Sequence, residues 1–238
     1  MRQNERERIE SRLKELVERL RSAADANLHS VVLYGSAAAS DFHKDFSDVN
    51  VLCLFQELSA SAMLAISDTV QWWKKENHTI PLLLSVEELT HAADVFAIEL
   101  LDMRKHHRVL QGTDLIANLN VPLHLHRVQV ERELRTKLIL LRQNFVNKVD
   151  VRKLMLDSVS SFMTLFRHSL IAMGEEPESG QRAMLQQLQR RLSLDTRAFV
   201  ELLNVREGSV RSDALDAQTI FPMYLKTIEQ VISAVDQL

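Results

Sequence analysis

The sequence predicts an α+β protein, with a small mixed sheet in its first half and an α-helical bundle in its second half. Only five glycines and four prolines occur in 238 residues, too few for the many tight turns of an all-β sandwich or barrel. Short apolar runs typical of buried strands occur before Pro122, and after it the apolar residues recur at helical spacing. The length allows two domains, each with its own core.

The chain begins with a predicted amphipathic helix over residues 5–26. Its apolar residues recur at helical spacing between arginines and glutamates: Ile9, Leu13, Leu16, Val17 and Leu20. Two buried strands are predicted next, one in the run SVVLY that ends at Gly35 and one in the run DVNVLCLF that begins at Asp48. The polar residues between these strands predict a loop.

The rest of the first half alternates between helix and strand. A helix is predicted over residues 57–76, and a third strand in TIPLLLSV, residues 79–86. Ser85 and Glu88 have the spacing of a capping box, which predicts that a short helix begins there. The apolar run FAIELLDM, residues 96–103, is expected to form a fourth strand.

Helices alone are predicted after Pro122. We expect them over residues 123–146, 150–172, 181–191, 195–204 and 216–236. The change of composition near residue 120 predicts two domains, 1–120 and 121–238. His124 and His126 stand where the first of these helices begins, and we interpret them as ordinary helix-entry residues rather than a metal pair.

Charge and cysteine content exclude several classes of protein. The net charge of −3 gives no strong signal for nucleic-acid binding. The lone Cys53 excludes an internal disulfide framework and a thiolate zinc site, and it fits a reducing cytoplasm. No apolar stretch approaches the length of a membrane span, so we expect a cytoplasmic protein with no membrane partner.

The candidate binding and catalytic residues lie at the ends of the first two predicted strands. A strand that ends in Gly35 and Ser36 can turn tightly and present backbone N–H groups and a hydroxyl to a phosphate. Asp48 and Asn50 are two residues apart on the next strand and therefore project from the same face. Side-chain oxygens beside a phosphate-binding turn are what divalent-metal phosphoryl transfer requires.

With these residues the sequence resembles the nucleotidyltransferase superfamily of DNA polymerase β type, in particular its small bacterial members related to aminoglycoside and kanamycin nucleotidyltransferases. The family pattern is a hydrophobic strand, Gly-Ser, about ten residues, then Asp-x-Asp or Asp-x-Glu. Gly35 and Ser36 match, eleven residues follow, Asp48 matches, and Asn50 stands in place of the second carboxylate. The resemblance implies that Gly35 and Ser36 hold nucleotide phosphates, that Asp48 binds Mg²⁺, and that a C-terminal helical domain helps to bind the acceptor.

A third carboxylate of this family lies on a later strand, and two residues here are candidates for it. Glu99 and Asp102 would face opposite sides of an extended strand. Asp102 is preferred because it is closer to the expected strand end, which makes Asp48, Asn50 and Asp102 the expected metal ligands. The alternative is that both acids are solvated surface positions. The basic run over residues 104–108 is interpreted mainly as a solvated face, with phosphate contact as the alternative.

The resemblance implies an activity: Mg²⁺-dependent transfer of a nucleoside monophosphate from an NTP to a hydroxyl of a small molecule or protein. Asn50 can ligate Mg²⁺ through its carbonyl oxygen but adds no charge. Losing one charge interaction at ~4 Å with an effective dielectric of ~20 costs roughly 4 kcal/mol, or about three decades in rate. The alternative is therefore a catalytically inactive nucleotide-binding or protein-interaction module. The sequence specifies neither the acceptor nor the preferred base nor the oligomeric state.

Overall fold

The computed structural model describes residues 2–38, 49–76 and 78–238, and it divides the chain into two compact units, Met1–Pro122 and Leu123–Leu238. In the part of the chain described, the first unit contains a four-stranded sheet and four α-helices, and the second contains five α-helices. The predicted α+β class, a small mixed sheet followed by a helical bundle, is confirmed.

The sheet of the first unit is mixed, with strand order β3-β2-β1-β4. β1 pairs antiparallel with both β2 and β4, whereas β3 lies parallel to β2 at the opposite edge. The strands are β1 (Leu28–Tyr34), β2 (Asn50–Phe55), β3 (Leu82–Ser85) and β4 (His107–Gly112). The three strands predicted around Gly35, around Asn50 and before Val86 are therefore present, and β1 and β2 form the centre of the sheet.

Helices cover both faces of this sheet. They are α1 (Arg2–Ala24), α2 (Ala60–Lys75), α3 (Val86–His91) and α4 (Ala97–Lys105). One core cluster joins α1 and α2 to the face that carries Val31, Val51 and Cys53. The other cluster joins α3 and α4 to the face that carries Val32 and Leu52. Because side chains alternate along a strand, Asn50 lies on the α4 face with Leu52.

The short helix predicted at Ser85 is present with its capping box. The Ser85 hydroxyl accepts a hydrogen bond from the Glu88 amide at 3.0 Å, and the Glu88 carboxylate accepts one from the Ser85 amide at 2.7 Å. Two donors that a helix end otherwise leaves unpaired are therefore satisfied. The predicted capping residues account for the start of α3 directly.

The fourth strand predicted over residues 96–103 is wrong, because this segment forms the helix α4. Its buried residues Ala97, Leu100 and Met103 recur every three positions, which is one face of a helix against the sheet. Ile98 is its only β-branched residue, and alanine, leucine, methionine and lysine favour helix. As a consequence, Glu99 and Asp102 share one face of α4 instead of facing opposite sides of a strand.

The actual fourth strand, β4, begins inside the basic run that was interpreted mainly as a solvated face. His107 and Arg108 are its first residues, and they pair with Tyr34 and Leu33 of β1. β4 is an edge strand whose residues are half-buried or exposed, and it lacks the regular alternation that signals a strand in a sequence.

The second unit is an all-helical bundle. Its helices are α5 (His126–Val146), α6 (Val151–Ala172), α7 (Gln181–Leu192), α8 (Arg197–Arg206) and α9 (Ala217–Asp236). Phe162, Phe166, Phe199 and Tyr224 form its aromatic centre, with ring centroids 4.7–6.4 Å apart. His126 opens α5 as expected, but it is also buried and its Nε2 lies 2.9 Å from Nδ1 of buried His168. Among the described helices, none combines the length and apolar character needed to cross a membrane.

Gly112 supplies a test of the β1–β4 pairing. Its φ is +83°, and a Cβ added there would lie 2.1 Å from the carbonyl oxygen of His29 and 2.8 Å from Cα of Ser30. We predict that Gly112→Ala lowers the free energy of unfolding by roughly 3 kcal/mol or more, because backbone must move. Urea denaturation followed by tryptophan fluorescence measures this in the first unit, since both tryptophans, Trp72 and Trp73, lie on α2.

Gly35→Ala is the matched control for this variant. Gly35 has a similar φ of +76°, but a Cβ there would meet only the end of a side chain, at 3.4 Å. The expected loss in the free energy of unfolding is therefore about 1 kcal/mol, because only the left-handed backbone conformation disfavours alanine. Equal losses in the two variants would contradict the close approach of Gly112 to β1.

Candidate functional site

The candidate site begins at the turn that follows β1. Gly35–Ala37 form one short turn of 3₁₀-helix, and Gly35 opens it with a φ of +76° that favours glycine. The Ala38 amide donates to the Gly35 carbonyl at 3.0 Å, and the Gly35 amide donates to the His106 carbonyl at 3.0 Å. The turn is therefore held to the residue that directly precedes β4.

Asn50 lies beside this turn. It pairs with Tyr34 in the β1–β2 register, and its Nδ2 atom is 3.4 Å from the point that a Cβ on Gly35 would occupy. An alanine Cβ at this position would be in ordinary van der Waals contact with the Asn50 amide, so φ is the reason for glycine at position 35. The structure thus brings together two of the predicted site residues, Gly35 and Asn50.

Of the other predicted site residues, Ser36 belongs to the turn and Asp48 is not described. The backbone of Ser36 forms the middle of the 3₁₀ turn, next to Gly35. Asp48, the predicted Mg²⁺ ligand, lies outside the described residues. Its assignment remains a prediction from the sequence.

One acid of α4, Glu99, acts electrostatically on Tyr34, the residue before the turn. Burial raises the pKa of the Tyr34 hydroxyl, and the negative charge of Glu99 raises it further. This interaction places the exposed Glu99 carboxylate near the last residue before Gly35. Asp102 follows one helical turn later on the same face of α4. The preference for Asp102 over Glu99 depends on an extended strand, and the helix removes that reason.

On the other side of β2, neither β3 nor residues 78–81 before it carry an acid. β3 runs parallel to β2, with Leu82 beside Leu52, and residues 78–81 lead into it with the sequence His-Thr-Ile-Pro. α4 is therefore one source of carboxylates for the site, and Glu10 of α1, which lines a cavity together with Ala37 and Ala38, is another. Among residues 2–38, 49–76 and 78–238, no three histidine, cysteine, aspartate or glutamate side chains form a group able to hold a metal ion. The described residues alone do not make the predicted magnesium site, and Asp48 would have to complete it.

Sequence reasoning missed a pair of residues that borders the turn, His107 and Asp114. The His107 Nε2 atom lies 3.0 Å from Asp114 Oδ2, and its Nδ1 atom lies 3.0 Å from the Met103 carbonyl oxygen. Burial raises the pKa of Asp114, but hydrogen bonds from His107 and from the Ala117 and Ile116 amides lower it, and the net direction is downward. The pair joins the start of β4 to the loop after it, and no spacing rule for a single element predicts such a contact.

Comparison with known proteins identifies the fold. No protein-family model matches the chain, and no curated protein matches it in sequence. Among solved structures it is similar to a spectinomycin adenyltransferase from Enterococcus faecialis, crystallised with ATP and spectinomycin. The TM-score is 0.58 and the identity 11%, over 95% of this chain and 99% of that chain. This likeness shows the fold: the chain has the fold of a nucleotidyltransferase, as the Gly-Ser pattern of its sequence predicts.

Proposed function

We propose that the chain binds a nucleoside triphosphate at the Gly35–Ala37 turn and transfers its nucleoside monophosphate to a hydroxyl acceptor. The observation that carries this proposal is the glycine turn at the end of β1, in contact with the first residue of β2. The fold adds support, since the similar adenyltransferase was crystallised with ATP. ATP is therefore the first nucleotide to test, and spectinomycin is the first acceptor.

The turn offers backbone amides to phosphate oxygens. The Gly35 amide is already bound to the His106 carbonyl, so the amides of Ser36 and Ala37 are the next two in the turn and are the ones we assign to phosphate. The Ser36 hydroxyl is a further donor. Asn50 borders Gly35, and its amide group can donate to a phosphate oxygen or offer its carbonyl oxygen to a cation.

A magnesium ion fits the proposal only with Asp48 included. We assign the ion to Asp48 and Asn50. Asp102, the third ligand expected from the sequence, would complete the set, and Glu99 on the same face of α4 is the alternative to it. When bound, Mg²⁺ would offset the negative charge of the triphosphate.

In the proposed transfer, the acceptor oxygen attacks the α-phosphorus of the nucleotide. The bond from that phosphorus to the bridging oxygen of the β-phosphate breaks, and pyrophosphate leaves with the bonding electrons. The acceptor's proton passes to a carboxylate, for which the exposed Glu99 beside the turn is our candidate. The contribution of the protein is positioning and electrostatic stabilisation, as is usual in phosphoryl transfer.

A second candidate function is nucleotide binding without transfer. One observation favours it: the position beside the turn holds a neutral amide, Asn50, and in the described residues no group of three acids assembles around it. Such a site can hold phosphates through N–H donors while lacking the charge that catalysis needs.

Two measurements on the wild-type protein separate these functions. Calorimetric titration with ATP, GTP, CTP and UTP in the presence of Mg²⁺ tests nucleotide binding, and a labelled-monophosphate assay with hydroxyl-bearing acceptors tests transfer. Binding with transfer supports the enzyme, and binding alone supports the second candidate. Absence of binding for every nucleotide would contradict both.

We predict that Ser36→Ala and Asp48→Ala each weaken Mg²⁺-nucleotide binding by about tenfold or more, because each removes a group assigned to the phosphates or their cation. Calorimetry measures the change in Kd, and both variants are expected to keep a cooperative thermal melt. Asp68→Ala is the control, since Asp68 is an exposed aspartate on α2 that is not among the residues assigned to the nucleotide. Unchanged nucleotide binding in both site variants would overturn the assignment.

Asn50→Asp tests the missing charge. The variant adds a carboxylate beside the turn, and we expect any transferase rate to rise by up to about three decades. Asn50→Ala is the control, because it removes the amide without adding charge. A rate that stays equal or falls in Asn50→Asp, when wild type is active, would show that Asn50 belongs to a different working arrangement.

A further inference from the structure

Both ring nitrogens of His107 face hydrogen-bond acceptors at the point where β4 begins, and both contacts are hydrogen bonds when each nitrogen carries a hydrogen. Nδ1 lies 3.0 Å from the Met103 carbonyl oxygen at the end of α4, and Nε2 lies 3.0 Å from the Asp114 carboxylate. The side chain is only 12% exposed, so it has little freedom to leave this position. Its two contacts join the end of α4, the start of β4 and the loop after β4.

This anchored residue shares a peptide unit with the carbonyl that holds the turn. The Gly35 amide donates to the His106 carbonyl, and that carbonyl carbon is bonded to the backbone nitrogen of His107. His107 also pairs with Tyr34 in the β1–β4 register. Because a peptide unit is planar, fixing His107 restricts the direction of the His106 carbonyl.

Asp114 is itself fixed by the loop that contains it. Its Oδ1 atom accepts hydrogen bonds from the Ile116 and Ala117 amides, each at 3.0 Å. These two hydrogen bonds fix the carboxylate independently of His107. Its contact with the ring therefore costs little further side-chain entropy. A continuous set of contacts runs from this loop through Asp114 and His107 to the Gly35 amide.

We propose that Asp114 and His107 are positioning residues for the Gly35–Ala37 turn, and that they set the turn in the geometry that receives nucleotide phosphates. The proposal rests on the proposed nucleotide site. Neither residue is assigned a contact with the nucleotide. Both act through the His106 carbonyl and the Gly35 amide.

Asp114→Asn is the most selective variant for this test. Asparagine keeps a side-chain oxygen for the Ile116 and Ala117 amides, but it places an NH₂ group, which cannot accept a hydrogen bond from Nε2–H, where the second carboxylate oxygen faces His107. Asp68→Asn is the matched control, since it removes the same charge at an exposed position on α2.

Hydrogen exchange of the Gly35 amide reports on the turn without any nucleotide. The chain has only five glycines, so the Gly35 signal in a ¹⁵N correlation spectrum can be assigned by its absence from Gly35→Ala. We expect this amide to exchange about tenfold faster in Asp114→Asn. The same variant is expected to bind Mg²⁺-ATP with a Kd about tenfold higher than wild type. Asp68→Asn is expected to change neither.

The outcomes separate this inference from the proposed function. Unchanged Gly35 exchange in Asp114→Asn overturns the positioning role, whatever the nucleotide result. If Asp114→Asn binds ATP more weakly only because the protein is less stable in urea, and Gly35 exchange is unaltered, the role of Asp114 is structural. That result also overturns the positioning role. Absence of ATP binding by wild type contradicts the proposed function itself, and with it a role in positioning for a nucleotide.

Discussion

The antiparallel register of β1 and β2 is the constraint on which the candidate site depends. It sets Tyr34 opposite Asn50, so that the turn at Gly35 meets the first residue of β2. A slip of one residue would move Asn50 to the opposite face of the sheet, away from α4. The buried residues of both faces of β2 resist such a slip, since it would turn each apolar set toward the wrong core.

Two further contacts build on that register. The Gly35 amide donates to the His106 carbonyl, which joins the turn to the residue before β4, and the apolar residues of α4 pack on the face that carries Asn50. The turn offers backbone N–H groups and the Asn50 side-chain amide, and Glu99 of α4 acts electrostatically on the neighbouring Tyr34. Such a set suits the binding of phosphates, and its capacity for catalysis depends on how much negative charge Asp48 and α4 bring to a cation.

The sequence was most informative where a local physical rule determines which residue occupies a position. Gly35 follows a β-branched run, and its positive φ favours a residue without a side chain. The capping box at Ser85 and the central strands follow equally local rules. Tertiary context decided the rest. The run over 96–103 is apolar enough for a strand, yet its burial every three residues against the sheet makes it helical. The contact between His107 and Asp114 joins a strand to a loop and has no signature in either segment.

A nucleotide titration followed through backbone amide signals tests the central claim most directly. If the turn after β1 is the phosphate site, adding Mg²⁺-ATP to the ¹⁵N-labelled chain will shift the amides of Gly35, Ser36 and Ala37 and that of Asn50 far more than those of α2. Shifts confined to other parts of the chain, or no saturable shift at all, would contradict a nucleotide site at this turn.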